Sequence, residues 1–169
     1  MRFTKLFVLG TMFLLTISVT AQDTDKSNYV AAATTKFANF PGIPECFTGA
    51  AQQGDPSKGD AVLLLKGKTG CMIPWHWHTA LERLMMVSGR AKVEMKDGSP
   101  VTLHPGDFVN LASKHPHQFT CQLSCTLFDV STGAPFDIHY VDASGNEIPP
   151  EQALKKKASA AKTQKPKAQ

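Results

Sequence analysis

Long apolar runs, paired cysteine motifs and a basic folded surface are what this sequence lacks. Beyond residue 19 no apolar stretch reaches the roughly 20 residues that cross a bilayer, so no membrane span is expected in the mature chain. None of the cysteines, Cys46, Cys71, Cys121 and Cys125, belongs to a CxxC pair, which argues against a cysteine-ligated metal. No segment has a convincing amphipathic helical period. The formal charge of +4 suggests nucleic acid only until it is located: 8 of the 18 cations are Arg2 and Lys5 at one end and Lys155, Lys156, Lys157, Lys162, Lys165 and Lys167 at the other. The other 10, set against all 14 acids, leave residues 22–153 at a formal −4, so no nucleic-acid partner is expected. With 169 residues and both ends set aside, one domain remains, which excludes a large multidomain enzyme.

The ends have their own logic. Residues 1–21 open with two cations, continue through an apolar run from Leu6 to Ile17 and close on Val19-Thr20-Ala21, the layout of a signal peptide cut after Ala21. A secreted or periplasmic protein follows. Residues 154–169 mix Lys with Ala, Ser, Thr and Gln, without an acid or an aromatic, and are expected to be a disordered tail. Between them, 22–39 reads as an extended lead-in and 40–153 as the folded domain. In an oxidising compartment the cysteines would pair, and four allow three pairings. A Cys121–Cys125 bridge needs Gln122-Leu123-Ser124 to turn the chain back, because on a straight strand these α-carbons stand roughly 13 Å apart.

What is present is a rhythm of short strands. Residues 61–65 and 81–87 are apolar, and 90–96 alternates strictly, with Ala91, Val93 and Met95 on one face and charges on the other. Asp97-Gly98 and Pro105-Gly106-Asp107 supply turns around 101–103 and 108–111, and further strands are predicted over 117–121, 125–130 and 136–141. Such a pattern argues for an all-β sandwich, jelly roll or barrel.

The chemistry concentrates in Pro74-Trp75-His76-Trp77-His78-Thr79-Ala80-Leu81-Glu82. On a strand, side chains two apart share a face, so His76 and His78 converge on one point; Glu82 has the same parity and joins them if the chain stays extended. Two imidazoles and a carboxylate suit one divalent transition metal, Fe, Mn, Ni, Co, Zn or Cu, with positions left open. The fourth ligand comes from His104, His115, His117 or His139, with His117 preferred because its strand can return beside the one carrying His76. Trp75 and Trp77 should face away from the metal. Leu84 and Met86 share the parity of Glu82, and Phe119 that of His117, so these three are candidates to line the substrate pocket.

These residues resemble the cupin superfamily. Gly70, His76, His78, Glu82 and Gly89 match every specified position of its first motif, a glycine, five residues, His-x-His, three residues, Glu, six residues and a glycine. The second motif matches in part: Gly106 and His117 are present, while Ala112, Lys114 and Cys121 stand where the family has proline, glycine and asparagine. The resemblance implies a single jelly-roll β-barrel, a double-stranded β-helix, in which His76, His78, Glu82 and His117 hold one metal. The expected function is a dioxygenase-like oxidoreductase acting on a small organic substrate, with Glu82 also catalytic. A metal-dependent lyase or isomerase, and a non-catalytic small-ligand binding or sensing module, are the alternatives. Exposed alternate strand faces and the two tryptophans add the expectation of a homodimer.

Overall fold

The computed structural model describes residues 27–155, so the signal-type segment 1–21 and tail residues 156–169 lie outside the described residues. Eleven strands follow a short 3₁₀ turn at Ala32–Thr34: β1 Phe47–Gly54, β2 Ala61–Gly67, β3 Met72–Trp77, β4 Leu81–Ser88, β5 Ala91–Met95, β6 Val101–Leu103, β7 Phe108–Leu111, β8 His117–Cys121, β9 Cys125–Thr132, β10 His139–Val141 and β11 Glu147–Ile148. They form two antiparallel sheets, a five-stranded one ordered β1-β2-β9-β4-β7 and a six-stranded one ordered β11-β10-β3-β8-β5-β6. The chain is thus nearly all β. Among the described residues the only α-helical stretch is a short one at 150–155, and no helix is long and apolar enough to cross a membrane.

Two strands differ from the sequence reading. β1, a strand the sequence pattern did not predict, is largely small and polar after Phe47, and it forms by pairing along the whole of β2. The strand predicted over 136–141 shortens to β10, because Phe136 hydrogen-bonds to Pro56 instead of entering the sheet. The lead-in is also attached at its end, where Ala38 bridges to Gly49; just beyond it, the Tyr140 hydroxyl donates to the Gly42 carbonyl at 2.7 Å.

Alternation decides what lies between the sheets. In β9 the buried set is Cys125, Leu127, Asp129 and Ser131, while their neighbours are only half-buried. Phe47, Leu84, Met86, Val93, Leu103 and Leu127 belong to one continuous apolar core, which is the main source of stability. At one end of the sandwich the chain passes four times from sheet to sheet, and two of these corners, between β4 and β5 and between β8 and β9, lie side by side. Gly89 makes the first corner at φ 82°, and a Cβ there would collide with the backbone of Ser124. Leu123 donates to the Arg90 carbonyl at 3.1 Å, which ties the two corners together. Disulfides join Cys121 to Cys125, whose α-carbons are 5.6 Å apart, and Cys46 to Cys71.

Candidate metal centre

The opposite end of the sandwich gathers the polar residues. β3 and β8 pair antiparallel with His76 facing His117, while a bulge between Ile73 and His76 adjusts the register. His78 lies one residue past the end of β3. The three rings are buried, and one nitrogen from each lies within 4.8 Å of the others.

Each ring is held by its other nitrogen. His76 Nδ1 donates to the Pro74 carbonyl at 2.6 Å, His117 Nδ1 to the His115 carbonyl at 2.9 Å, and His78 Nδ1 to the Asp137 carbonyl. A carbonyl can only accept, so every Nδ1 carries the proton and every Nε2 keeps a lone pair. Burial pushes His76 well below the usual histidine range, pushes His78 down, and brings His117 down to about 4. The rings are therefore neutral at pH 7. Fixed orientation, neutral charge and convergent lone pairs are what a divalent ion of the imidazole-binding kind requires, so the residues present fit a metal.

Glu82 reaches the same point by a route that parity did not describe. The chain does not stay extended after His78: it bends at Thr79-Ala80, crosses to the other sheet, and delivers Glu82 from β4. The bend is latched by Lys114 N–H to the His78 carbonyl at 2.8 Å, the Ser113 hydroxyl to the Thr79 carbonyl at 2.6 Å, and Thr79 N–H to Asp137 Oδ1 at 2.8 Å. Lys114 holds φ at 58°, a left-handed conformation, at the position where the second motif has glycine. Glu82 Oε2 ends 3.3 Å from His78 Nε2 and 3.6 Å from His117 Nε2. With the rings neutral these are not ion pairs, and burial pushes the Glu82 carboxyl up to about 7.

Beside the centre is a small cavity of about 40 Å³, whose polar lining includes the three histidines, Glu82 and Asp129 and whose walls are otherwise largely apolar. Leu84 and Phe119 line it. Met86 does not: two residues further along β4, it is packed in the apolar core, 3% exposed, beyond the cavity. The other candidate histidines stay away from the imidazole cluster. His104 is exposed beside Asp107, the His115 side chain faces Asp97, and His139 stacks flat on Trp77 at 3.8 Å between Asp137 and Glu147.

Asp129 was not singled out from the sequence. It is 1% exposed, lines the cavity, and is held well above the usual carboxylate range by burial and by the neighbouring acid Glu82. Its signal was the alternation of a strand already predicted, since Cys125, Leu127 and Asp129 share a face. Asp137 was missed because its backbone carbonyl orients His78 whatever the residue type, and its carboxylate meets Thr79, 58 residues away, only through the fold.

The profile of the Cupin domain family matches residues 63–130. No curated protein matches the chain in sequence. Among solved structures, similar folds include an RmlC-like cupin protein from Ralstonia eutropha, 19% identical over 85% of this chain and 93% of that one with a TM-score of 0.59. The polyketide cyclase RemF from Streptomyces resistomycificus is 16% identical over 76% and 99%, TM-score 0.58. The DMSP lyase DddQ from Ruegeria pomeroyi is 23% identical over 60% and 57%, TM-score 0.52. Motif spacing, family profile and fold agree: residues 63–130 carry a Cupin domain, and the fold around them is cupin-like.

Proposed function

We propose that this protein is an exported, metal-dependent cupin enzyme acting on a small oxygen-bearing organic molecule. The observation that carries the reading is the convergence of three neutral imidazoles and Glu82 beside a buried cavity. His76, His78, His117 and Glu82 would hold one divalent ion, Fe, Mn, Ni, Co, Zn or Cu. When bound, such an ion supplies open positions that polarise a substrate oxygen or, if redox active, electrons for O₂.

The chain's own residues define the rest. The imidazoles hold the ion without adding charge, and Glu82 adds a single negative charge. A carboxyl pushed up to about 7 can take up or release a proton near neutrality, so Glu82 is assigned a proton-transfer role besides ligation. The apolar walls restrict water, and the cavity limits the part of the substrate buried beside the ion to a few heavy atoms. Two disulfides support an oxidising compartment. A closed jelly-roll barrel and a homodimer belong to the same reading.

Within that frame a lyase or isomerase is favoured, because the site holds a second buried carboxyl, Asp129, that suits proton movement. Two of the fold neighbours are, by name, a lyase and a cyclase. The dioxygenase-like oxidoreductase is the second reading, supported by the 3-His-1-Glu donor set in apolar surroundings. Metal-loaded protein in D₂O, incubated with small 2-hydroxy acids, 2-keto acids, catechols and β-diketones while O₂ is recorded, separates them. Deuterium entering a C–H position without O₂ uptake is the expected result. O₂ uptake favours the dioxygenase-like reading, and binding without either favours a sensing module.

A further inference from the structure

β9 presents two buried polar side chains that the metal reading does not use. Asp129 and Ser131 point to the same side of the strand, and Asp129 Oδ1 and Ser131 Oγ have no hydrogen-bond partner among the described residues. Ser131 stands opposite Glu82 across the β4–β9 pairing, and Asp129 stands opposite Leu84. Leaving a carboxyl oxygen and a hydroxyl buried and unpaired costs stability, and native cores satisfy nearly all such groups. An apolar pair at these positions would pack as well as Leu63 and Leu127 beside them. The sequence places a carboxyl there instead, on the wall of the cavity that also exposes Glu82 and the three imidazoles.

We propose that Asp129 is a substrate-positioning residue: it accepts a hydrogen bond from a hydroxyl of the small molecule whose other oxygen faces the His76, His78, His117 and Glu82 cluster. The substrate class this selects is one with two oxygens on neighbouring carbons, one acting as ligand and the other as donor, such as a 2-hydroxy acid. A carboxyl that lacks a protein partner is completed by such a hydroxyl. A substrate without it leaves the group unpaired, which is the arrangement that gives strong discrimination. The inference rests on the metal reading, and its test separates the two.

The experiment uses the purified protein loaded with Co(II), whose visible spectrum reports ligand entry, titrated with glycolate and with acetate, which differ by one hydroxyl. Chelation by that hydroxyl is common to all variants, so only the change in preference between them reports on Asp129. In Asp129→Leu the preference for glycolate over acetate should fall about tenfold, the effect of one hydrogen bond to a charged or strongly polar group, with metal content and acetate affinity kept. Asp129→Asn, which retains an accepting oxygen, should lose less. An unchanged preference, or equal loss for both probes, overturns the role. Thermal melting of the metal-free proteins provides an arm independent of Co(II): Asp129→Leu should melt no lower than wild type, since Glu82 keeps His78 and His117 as neighbours. A drop of several degrees would make Asp129 a structural residue and overturn the proposal. A wild type that takes up no Co(II) contradicts the metal reading, and the melting result still decides Asp129.

Discussion

The two ends of this sandwich are made by the same strands and have opposite chemistry. At the corner end, β4 passes to β5 and β8 to β9 through Gly89 and the Cys121–Cys125 bridge, and the interior is Phe, Leu, Val, Ala and cystine. At the other end β3, β4, β8 and β9 present His76, Glu82, His117 and Asp129, with His78 just beyond β3, and the loops are latched by hydrogen bonds rather than by apolar contact. One end holds the fold, so the other can keep buried polar groups that a core would exclude. This division predicts that stability and ligand chemistry respond to different substitutions.

The largest stability loss is expected from the corner end. Leu103→Ala removes a buried core side chain, 4% exposed, and should lower the unfolding free energy by about 3 kcal/mol, read from urea denaturation, with metal content per folded chain unchanged. Breaking Cys46–Cys71, which closes a loop with a sequence separation of 25, should cost about 3 kcal/mol in the same assay for the Cys46→Ser/Cys71→Ser pair. If either change stripped metal from molecules that remain folded, the two ends would be coupled and the division would be wrong.

At the site end, His78→Ala should abolish metal retention on dialysis while costing far less stability than Leu103→Ala, because the fold rests on apolar burial. Glu82 sharpens the contrast. Its carboxyl, pushed up to about 7 by burial, must release a proton before it can ligate, while the histidines are already neutral there. Metal affinity should therefore be flat above pH 7 and weaken below it, approaching about tenfold per pH unit. Glu82→Gln should bind more weakly and without that slope, and should lose turnover by more than it loses occupancy. Calorimetric metal titrations between pH 5.5 and 8 check the sign; equal slopes in both proteins would remove Glu82 from the shell. The smallest effect belongs to Lys114→Gly, which relieves a left-handed backbone and should stabilise by about 1 kcal/mol.

The sequence revealed the two ends unevenly. The ligand residues were legible because metal binding leaves a spacing, His-x-His with a glutamate and a distant histidine, and β2 and β4 to β9 were legible from apolar runs, alternation and turn residues. The path from His78 to Glu82 was not, since parity assumes a straight strand and cannot show a bend from one sheet to the other. β1 was hidden by its small and polar residues, which the pairing with β2 overrides. Met86 shows the same limit: it shares a face with Leu84, yet the cavity ends before reaching it. The carbonyls of Pro74, His115 and Asp137 that orient the rings leave no mark on residue type at all.

The central claim is that one ion sits among His76, His78, His117 and Glu82, and metal-edge X-ray absorption of dialysed, metal-loaded protein tests it most directly. One ion per chain in a shell of nitrogen and oxygen donors at about 2.0–2.2 Å, with the scattering signature of three imidazoles that is lost in His78→Ala, is the expected result. A shell containing sulfur, fewer imidazoles in the wild type, or a spectrum unchanged by His78→Ala would contradict it.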